Sequence, residues 1–280
     1  MTETVNQELL AEVGRQAAHA AGQVLCRNFE KPHDITTMKS VIDPVTESDL
    51  ASQEAIIRVI RQAFPDHEIL AEEVMNTKAS ETRACGPAGP APRYRWIVDP
   101  LDGTVNFAHG FPVFSVSIAF EAKGLITYGV VYDPLRKELF EARRGGGAFL
   151  NGRPLRVSQV RRLEEALLAT GFPYDIRERL PQTLARLGRM LGAAQGVRRA
   201  GSAALDLAYV AAGRLDGFWE ENLKPWDTAA GMLLVMESGG RLSCFDGSPY
   251  TLMSPTIIAS NGLLHEALLE KFRESGPPLA

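Results

Sequence analysis

The stretch WIVDPLDGTVNF, residues 96–107, decides how the chain is read. Trp96, Ile97 and Val98 form the apolar end of a strand, and the run stops at Asp99. Pro100 fixes its own φ and biases Asp99 toward extended backbone. Asp102 follows across the proline, and then Gly103, which lets the backbone approach a ligand closely. GTVNF can open a short helix, whose first N–H groups lack intrahelical partners and suit an anion such as phosphate. Two carboxylates beside an anion site conflict unless a hard cation lies between them, held by carboxylate oxygens on one side and phosphate on the other. Taken alone, the hexapeptide also reads as a capped turn.

Working outward, three further acidic stretches stand where an apolar element ends or a helix begins. EILAEEV puts Glu72 and Glu73 after a short strand at 69–71. DPVTESD gathers Asp43, Thr46 and Asp49 around a helix start, and KPWDTAAGMLLVMESGG sets Asp227 at another. Each by itself also fits a helix cap or a solvated loop. Such positions are where α/β folds carry functional groups. Two like charges about 4 Å apart repel by about 1 kcal/mol in water and about 4 kcal/mol at an effective dielectric of 20. Convergence of four or five carboxylates therefore implies divalent cations. Oxygen-only ligation favours Mg²⁺ or Mn²⁺ over Zn²⁺. The histidines (19, 33, 67, 109 and 265) show no ligand spacing.

The remaining sequence sets the frame. At 280 residues and 45% hydrophobic, the chain can bury the core of one large domain or two intimate ones. A net charge of −4 gives no reason to expect nucleic-acid binding. The three cysteines, Cys26, Cys85 and Cys244, fit neither a disulfide framework nor a metal knuckle and read as thiols of a reducing cytoplasm. There is no signal-peptide core, and no apolar run reaches the roughly 18 residues of a membrane span, so a cytoplasmic protein without membrane partners is expected.

Periodicity predicts helices over 5–29 and about 47–64, the latter capped by Thr46 or Ser48. Residues 76–93, rich in Pro, Gly and Ala, read as an exposed loop. Strands at 94–98, 113–120, 125–132, 137–142 and 147–150 form an antiparallel meander. Beyond about 155, short strands (ALLATG, GFWEE, TIIAS) alternate with helices near 179–192, 202–213, 227–238 and 262–275. The fold class is mixed, with an α+β half over 1–155 carrying most of the acidic groups and an α/β half over 156–280.

WIVDPLDGTVNF, the preceding AEEV, DPVTESD and the late WDTAAG together resemble the inositol monophosphatase family of Mg²⁺-dependent, lithium-sensitive phosphatases. The similarity spans about 5–270, and the two principal motifs, about 125 residues apart, are specific as a pair. The resemblance implies a layered α-β-α-β-α sandwich of the sugar-phosphatase type, a homodimer, and two or three Mg²⁺ ions that Mn²⁺ can replace. It makes Glu72, Asp99, Asp102 and Asp227 side-chain metal ligands and Leu101 a carbonyl ligand, with Lys39 near a third metal. Asp49 and Thr104 would hold the attacking water, and Glu72 would join them as a catalytic residue. Gly103 and Thr104 would hold phosphate. Gly201, Ser202, Ala203 and Glu220 would meet the substrate hydroxyls.

The implied partner is a small phosphate monoester, with myo-inositol 1-phosphate leading. Fructose-1,6-bisphosphatase, histidinol-phosphatase and 3′-phosphoadenosine phosphatase activities are alternatives on the same metal site. TVNF and NLKPWD lean toward the inositol branch, and GFPYD at 171–175 resembles its bacterial members. Ala71 stands where the family often has glycine. The alternative of another class is a non-catalytic interaction module that retains the fold, with Arg161-Arg162 or Arg198-Arg199 as its handle.

Overall fold

The computed structural model describes residues 6–31, 35–40, 43–73, 93–173 and 175–273, with the side chains of 35–40, 43 and 44 outside that description. Two helices open the chain, α1 (Gln7–Asn28) and α2 (Glu47–Ala63), separated by a hairpin of β1 (Ile35–Ser40) and β2 (Asp43–Thr46). β3 (Glu68–Ala71) follows, then β4 (Tyr94–Asp102) and the short α3 (Thr104–Ala108). The meander comprises β5 (Ser115–Ala122), β6 (Leu125–Asp133), β7 (Glu138–Arg143), β8 (Gly147–Leu150) and β9 (Arg153–Pro154). The rest runs β10 (Leu167–Thr170), α4 (Ile176–Ala193), β11 (Gly196–Arg198), α5 (Ala203–Ala211), β12 (Gly217–Glu221), α6 (Pro225–Glu237), β13 (Arg241–Ser243), β14 (Thr256–Ser260) and α7 (His265–Arg273).

A seven-stranded sheet of order β3-β4-β5-β6-β7-β8-β9 is antiparallel except for the β3–β4 pair. A five-stranded sheet of order β11-β10-β12-β14-β13 is mixed. α1 and α2 cover one face of the large sheet, α5 and α6 fill the space between the sheets, and α4 and α7 cover the far side of the small one. The result is the expected α-β-α-β-α sandwich. Because both faces of the large sheet are covered, its central strands are apolar on both sides. Along β4, Trp96 and Val98 enter the core under α1 and α2, while Ile97 enters the core with α5 and α6. α1 comes so close that a Cβ on Gly14 would lie 2.4 Å from Tyr128 Cε1.

Sequence and structure part at Asp99. β4 does not stop there but runs through Pro100 to Asp102. Asp99 faces Ser117 and Asp102 faces Ser115, so three steps on β4 oppose two on β5. That is a β-bulge, and it accommodates a residue that has no N–H for the ladder. Ser52 of α2 donates from its hydroxyl to the Pro100 carbonyl at 2.7 Å and pins the bulge from behind. Other differences are smaller. Thr46, not Ser48, caps α2, and α4 begins at Ile176, a little ahead of the expected start near 179. The β1–β2 hairpin, β9, β11 and β13 are additional to the predicted strands. The loop reading of 76–93 lies outside the described residues apart from Arg93. Cys26 and Cys244 are free thiols, and Cys85 lies outside the description. Among the described residues no helix is long and apolar enough to cross a membrane.

Candidate active site

The bulge opens into a cavity of about 290 Å³ between the C-terminal end of β4 and the starts of α5 and α6. Glu72, Asp99, Asp102 and Asp227, far apart in sequence, all line it. Glu72 continues the parallel ladder past β3, its N–H donating to the Val98 carbonyl at 3.1 Å, and so it arrives beside Asp99. The next residue, Glu73, is clamped by both ends of the Gln53 amide at 3.0 and 2.7 Å. Asp99 Oδ1 accepts from Leu101 N–H at 3.0 Å, an Asx turn that fixes the carboxylate over the bulge. Asp102 Oδ2 accepts from the Ser202 hydroxyl at 2.5 Å and from Ala204 N–H at 2.8 Å, at the start of α5. Asp227 Oδ2 accepts from Lys224 N–H at 2.6 Å, at the start of α6.

The acids strain one another. Burial, then the charges of Glu72, Asp102 and Asp227, push the Asp99 carboxyl well above the usual carboxylate range. Burial pushes Asp102 up to about 6 against the hydrogen bonds from Ser202 and Ala204. Asp227 is raised by burial and by Glu72. Among the described residues no three such side chains form a closed coordination group as they stand. The fit to a hard divalent cation lies in the all-oxygen donors and in repulsion that positive charge would relieve. The Leu101 carbonyl belongs to a residue lining the same cavity.

Gly103 begins α3 with φ +100°, and a Cβ there would lie 3.0 Å from the Val113 carbonyl, a backbone neighbour that cannot swing away. No side chain caps the first N–H groups of α3. The Thr104 hydroxyl lies 3.0 Å from Asp49 Oδ1 and 3.0 Å from the Leu101 carbonyl, and its single proton serves one at a time. Asp49 itself does not line the cavity and reaches it through Thr104. Burial pushes its carboxyl up to about 6, against hydrogen bonds from Thr46 and Thr104. Lys39 is on β1, but its side chain lies outside the described residues.

The far wall comes from the C-terminal half. Gly201 (φ +89°), Ser202 and Ala203 line the cavity, as does Glu220 at the end of β12. Asn106 ties the two walls together, donating to the Val113 carbonyl at 2.7 Å and the Ala200 carbonyl at 2.8 Å. Gly171 must be glycine, since a Cβ would stand 2.1 Å from the Glu220 carboxylate oxygens. Phe172, Arg199 and Asp206 also line the cavity, and none of them is among the predicted site residues. For Asp206 a signal existed, an acid inside the apolar run AALDLAYVAA. Arg199 belongs to the Arg198-Arg199 pair that the interaction-module alternative takes as its handle.

A layered sandwich with an acidic cavity at a strand bulge is the sugar-phosphatase architecture that the motifs imply. Residues 6–276 match the family model described as the inositol monophosphatase family, and the chain belongs to that family. A relative from Pseudomonas aeruginosa, "Nus factor SuhB", is 44% identical over 272 residues, covering 96% of this chain and 97% of its own. The crystal structure of extragenic suppressor protein suhB from Bartonella henselae aligns with TM-score 0.86 at 40% identity, over 96% of this chain and all (100%) of that one. The inositol monophosphatase from Anabaena sp. PCC 7120 aligns with TM-score 0.82 at 38% identity, over 98% of both chains.

Proposed function

We propose that this protein hydrolyses a small phosphate monoester with Mg²⁺, and that myo-inositol 1-phosphate is its leading substrate. The observation that carries the proposal is the meeting of Glu72, Asp99, Asp102 and Asp227 in one cavity, where burial and mutual charge raise the three aspartates. Their oxygens, with the Leu101 carbonyl, would hold the ions. When bound, Mg²⁺ polarises the phosphoryl group, makes water more acidic and neutralises the leaving oxygen. The uncapped start of α3 offers Gly103 and Thr104 N–H groups to phosphate oxygens. Thr104, its hydroxyl held by Asp49, orients a water for in-line attack. Glu220 accepts hydrogen bonds from substrate hydroxyls. No serine or cysteine nucleophile is required. Phosphate release from a panel of sugar, polyol and nucleotide monophosphates, with Mg²⁺ or with excess EDTA, tests the proposal. Turnover of a polyol phosphate that stops in EDTA supports it, and full turnover in EDTA defeats the metal mechanism. Lithium sensitivity, a homodimer and a cytoplasmic location belong to the same proposal.

Relatives named Nus factor SuhB, among them one from Escherichia coli K12 that is 41% identical over 95% of this chain, support a second reading, a role as a Nus factor. If this chain shares that role, it restores the SuhB-dependent function of an E. coli strain whose own SuhB has been removed. Restoration by Asp102→Asn as well would separate the role from hydrolysis, and failure by the wild-type chain would argue against sharing.

A further inference from the structure

Every residue of α5 except Tyr209 is buried, and Asp206 is the one charged residue among them. It is 2% exposed and lines the cavity. The fold gives its carboxylate no local task. Ser202 caps the helix by accepting from Leu205 N–H at 3.4 Å, and the Asp206 N–H serves the ordinary ladder to the Ser202 carbonyl at 3.0 Å. Among the described residues the Asp206 carboxylate has no hydrogen bond and no ion pair. Burying such a group without a partner is costly, and a leucine would suit this helix better. A destabilising group that faces a binding cavity is the usual mark of a residue kept for what enters it.

The surroundings narrow what that is. After burial, the charge of Asp206 is the foremost influence raising the Glu220 carboxyl, and both acids line the cavity. Burial, then Asp102, pushes the Asp206 carboxyl well up, and Arg199 opposes the rise. The Arg199 guanidinium lies over the Phe172 ring at 5.5 Å and lines the same cavity. It has no hydrogen-bond acceptor among the described residues. A phosphate would be repelled by two acids, so it belongs at the α3 end. A hydroxyl both donates and accepts, which matches a carboxyl and a guanidinium that line one cavity.

We propose that Asp206 is a specificity-determining residue that bonds a free hydroxyl of a phosphorylated polyol, in addition to the hydroxyl taken by Glu220, with Arg199 donating at the same end of the cavity. This rests on the phosphatase function proposed above. Two adjacent free hydroxyls would then be selected over one. Simple aryl phosphates, which have none, gain nothing from the pair.

The test compares the wild type, Asp206→Asn and Asp206→Leu on myo-inositol 1-phosphate and phenyl phosphate at saturating Mg²⁺. Thermal midpoints are measured with and without myo-inositol 1-phosphate. In Asp206→Leu the ratio of kcat/KM for the inositol phosphate over the phenyl phosphate falls about tenfold or more, mainly through KM. Asp206→Asn keeps an acceptor oxygen and falls less. Neither variant lowers the midpoint of the free protein. A ratio within twofold of wild type in Asp206→Leu would overturn the proposal. So would equal loss on both substrates with a lowered midpoint, which marks a structural residue. If the wild type turned over neither substrate, the phosphatase function would fall, and the midpoint rise with myo-inositol 1-phosphate would decide Asp206 alone. The same rise in wild type and Asp206→Leu, zero included, would then contradict it.

Discussion

Asp49 and Asp227 occupy equivalent places, each the third residue of its helix, and each bonds back to the N-cap backbone. Thr46 N–H donates to Asp49 Oδ2 at 2.8 Å, and Lys224 N–H donates to Asp227 Oδ2 at 2.6 Å. There the likeness ends. Asp49 also accepts from the hydroxyls of Thr46, at 2.6 Å, and Thr104, at 3.0 Å, and it sits behind the cavity. Asp227 has no further hydrogen-bond donor among the described residues and faces the cavity. Its cap residue is a lysine, whose ammonium cannot return a bond as Thr46 does by accepting from Ser48 N–H at 3.2 Å. One local signature thus serves two ends. A saturated carboxylate is a clamp, and an unsaturated one is left for a ligand.

The largest effect that can break this contrast is on turnover. Asp227→Asn removes a charge from the cation site with little change of shape. It is expected to lower kcat by about 100-fold or more on polyol and aryl phosphates alike, with the folded state retained by circular dichroism. A near-normal rate would make Asp227 only a cap. Asp49→Asn is expected to act more weakly on rate, about tenfold, because it works through Thr104. Losing the capping-box acceptor should also lower stability by about 1 kcal/mol in urea unfolding. Equal rates for Asp49→Asn and the wild type would remove Asp49 from the mechanism.

Acidity sharpens the same contrast. Asp102 and Asp49 are raised to about 6, above their unfolded values, so their protonated forms favour the folded state. That stability is fully present below the unfolded pKa, near 4, and is lost as pH rises through about 6. Protons and Mg²⁺ compete for the cavity acids, so the midpoint rise produced by Mg²⁺ grows from pH 5 to pH 8. A pH-independent rise in differential scanning fluorimetry would contradict this. His265 runs the other way. It is buried between the hydroxyls of Ser260 and Ser243, each at 2.9 Å, and burial lowers it to about 4. Its contribution is lost as pH falls from about 6.5 toward 4. His265→Gln should therefore lessen the decline of the EDTA-treated protein over that lower window.

The smallest effect concerns the bulge. Ser52→Ala removes the hydroxyl that donates to the Pro100 carbonyl and leaves that acceptor buried. A stability loss of about 1–2 kcal/mol is expected, with a few-fold fall in kcat as Asp99 and Asp102 lose their backing. An unchanged midpoint would show that the bulge holds without α2.

Much of this was legible in residue order, for identifiable reasons. The central strands carry apolar residues on both faces because helices cover both, and such runs stand out. The hairpin of β1 and β2 did not, since DPVTESD reads as the approach to a helix start. β11 and β13 are three residues each, too short for a period. The continuation of β4 past Asp99 was hidden because Pro100 signals an ending, and a bulge exists only relative to its partner, β5. The acids at element ends were found by position. Asp206 was not, since an acid one turn into a helix reads as a favourable dipole partner until its missing hydrogen bonds are seen.

Calorimetric titration of Mg²⁺ into the wild type, Asp49→Asn and Asp227→Asn at pH 8 tests the division between clamp and ligand most directly. The expected result is binding by Asp49→Asn within a few-fold of wild type and a loss of about tenfold or more in Asp227→Asn. Equal affinities in the two variants, whether both kept or both lost, would contradict it.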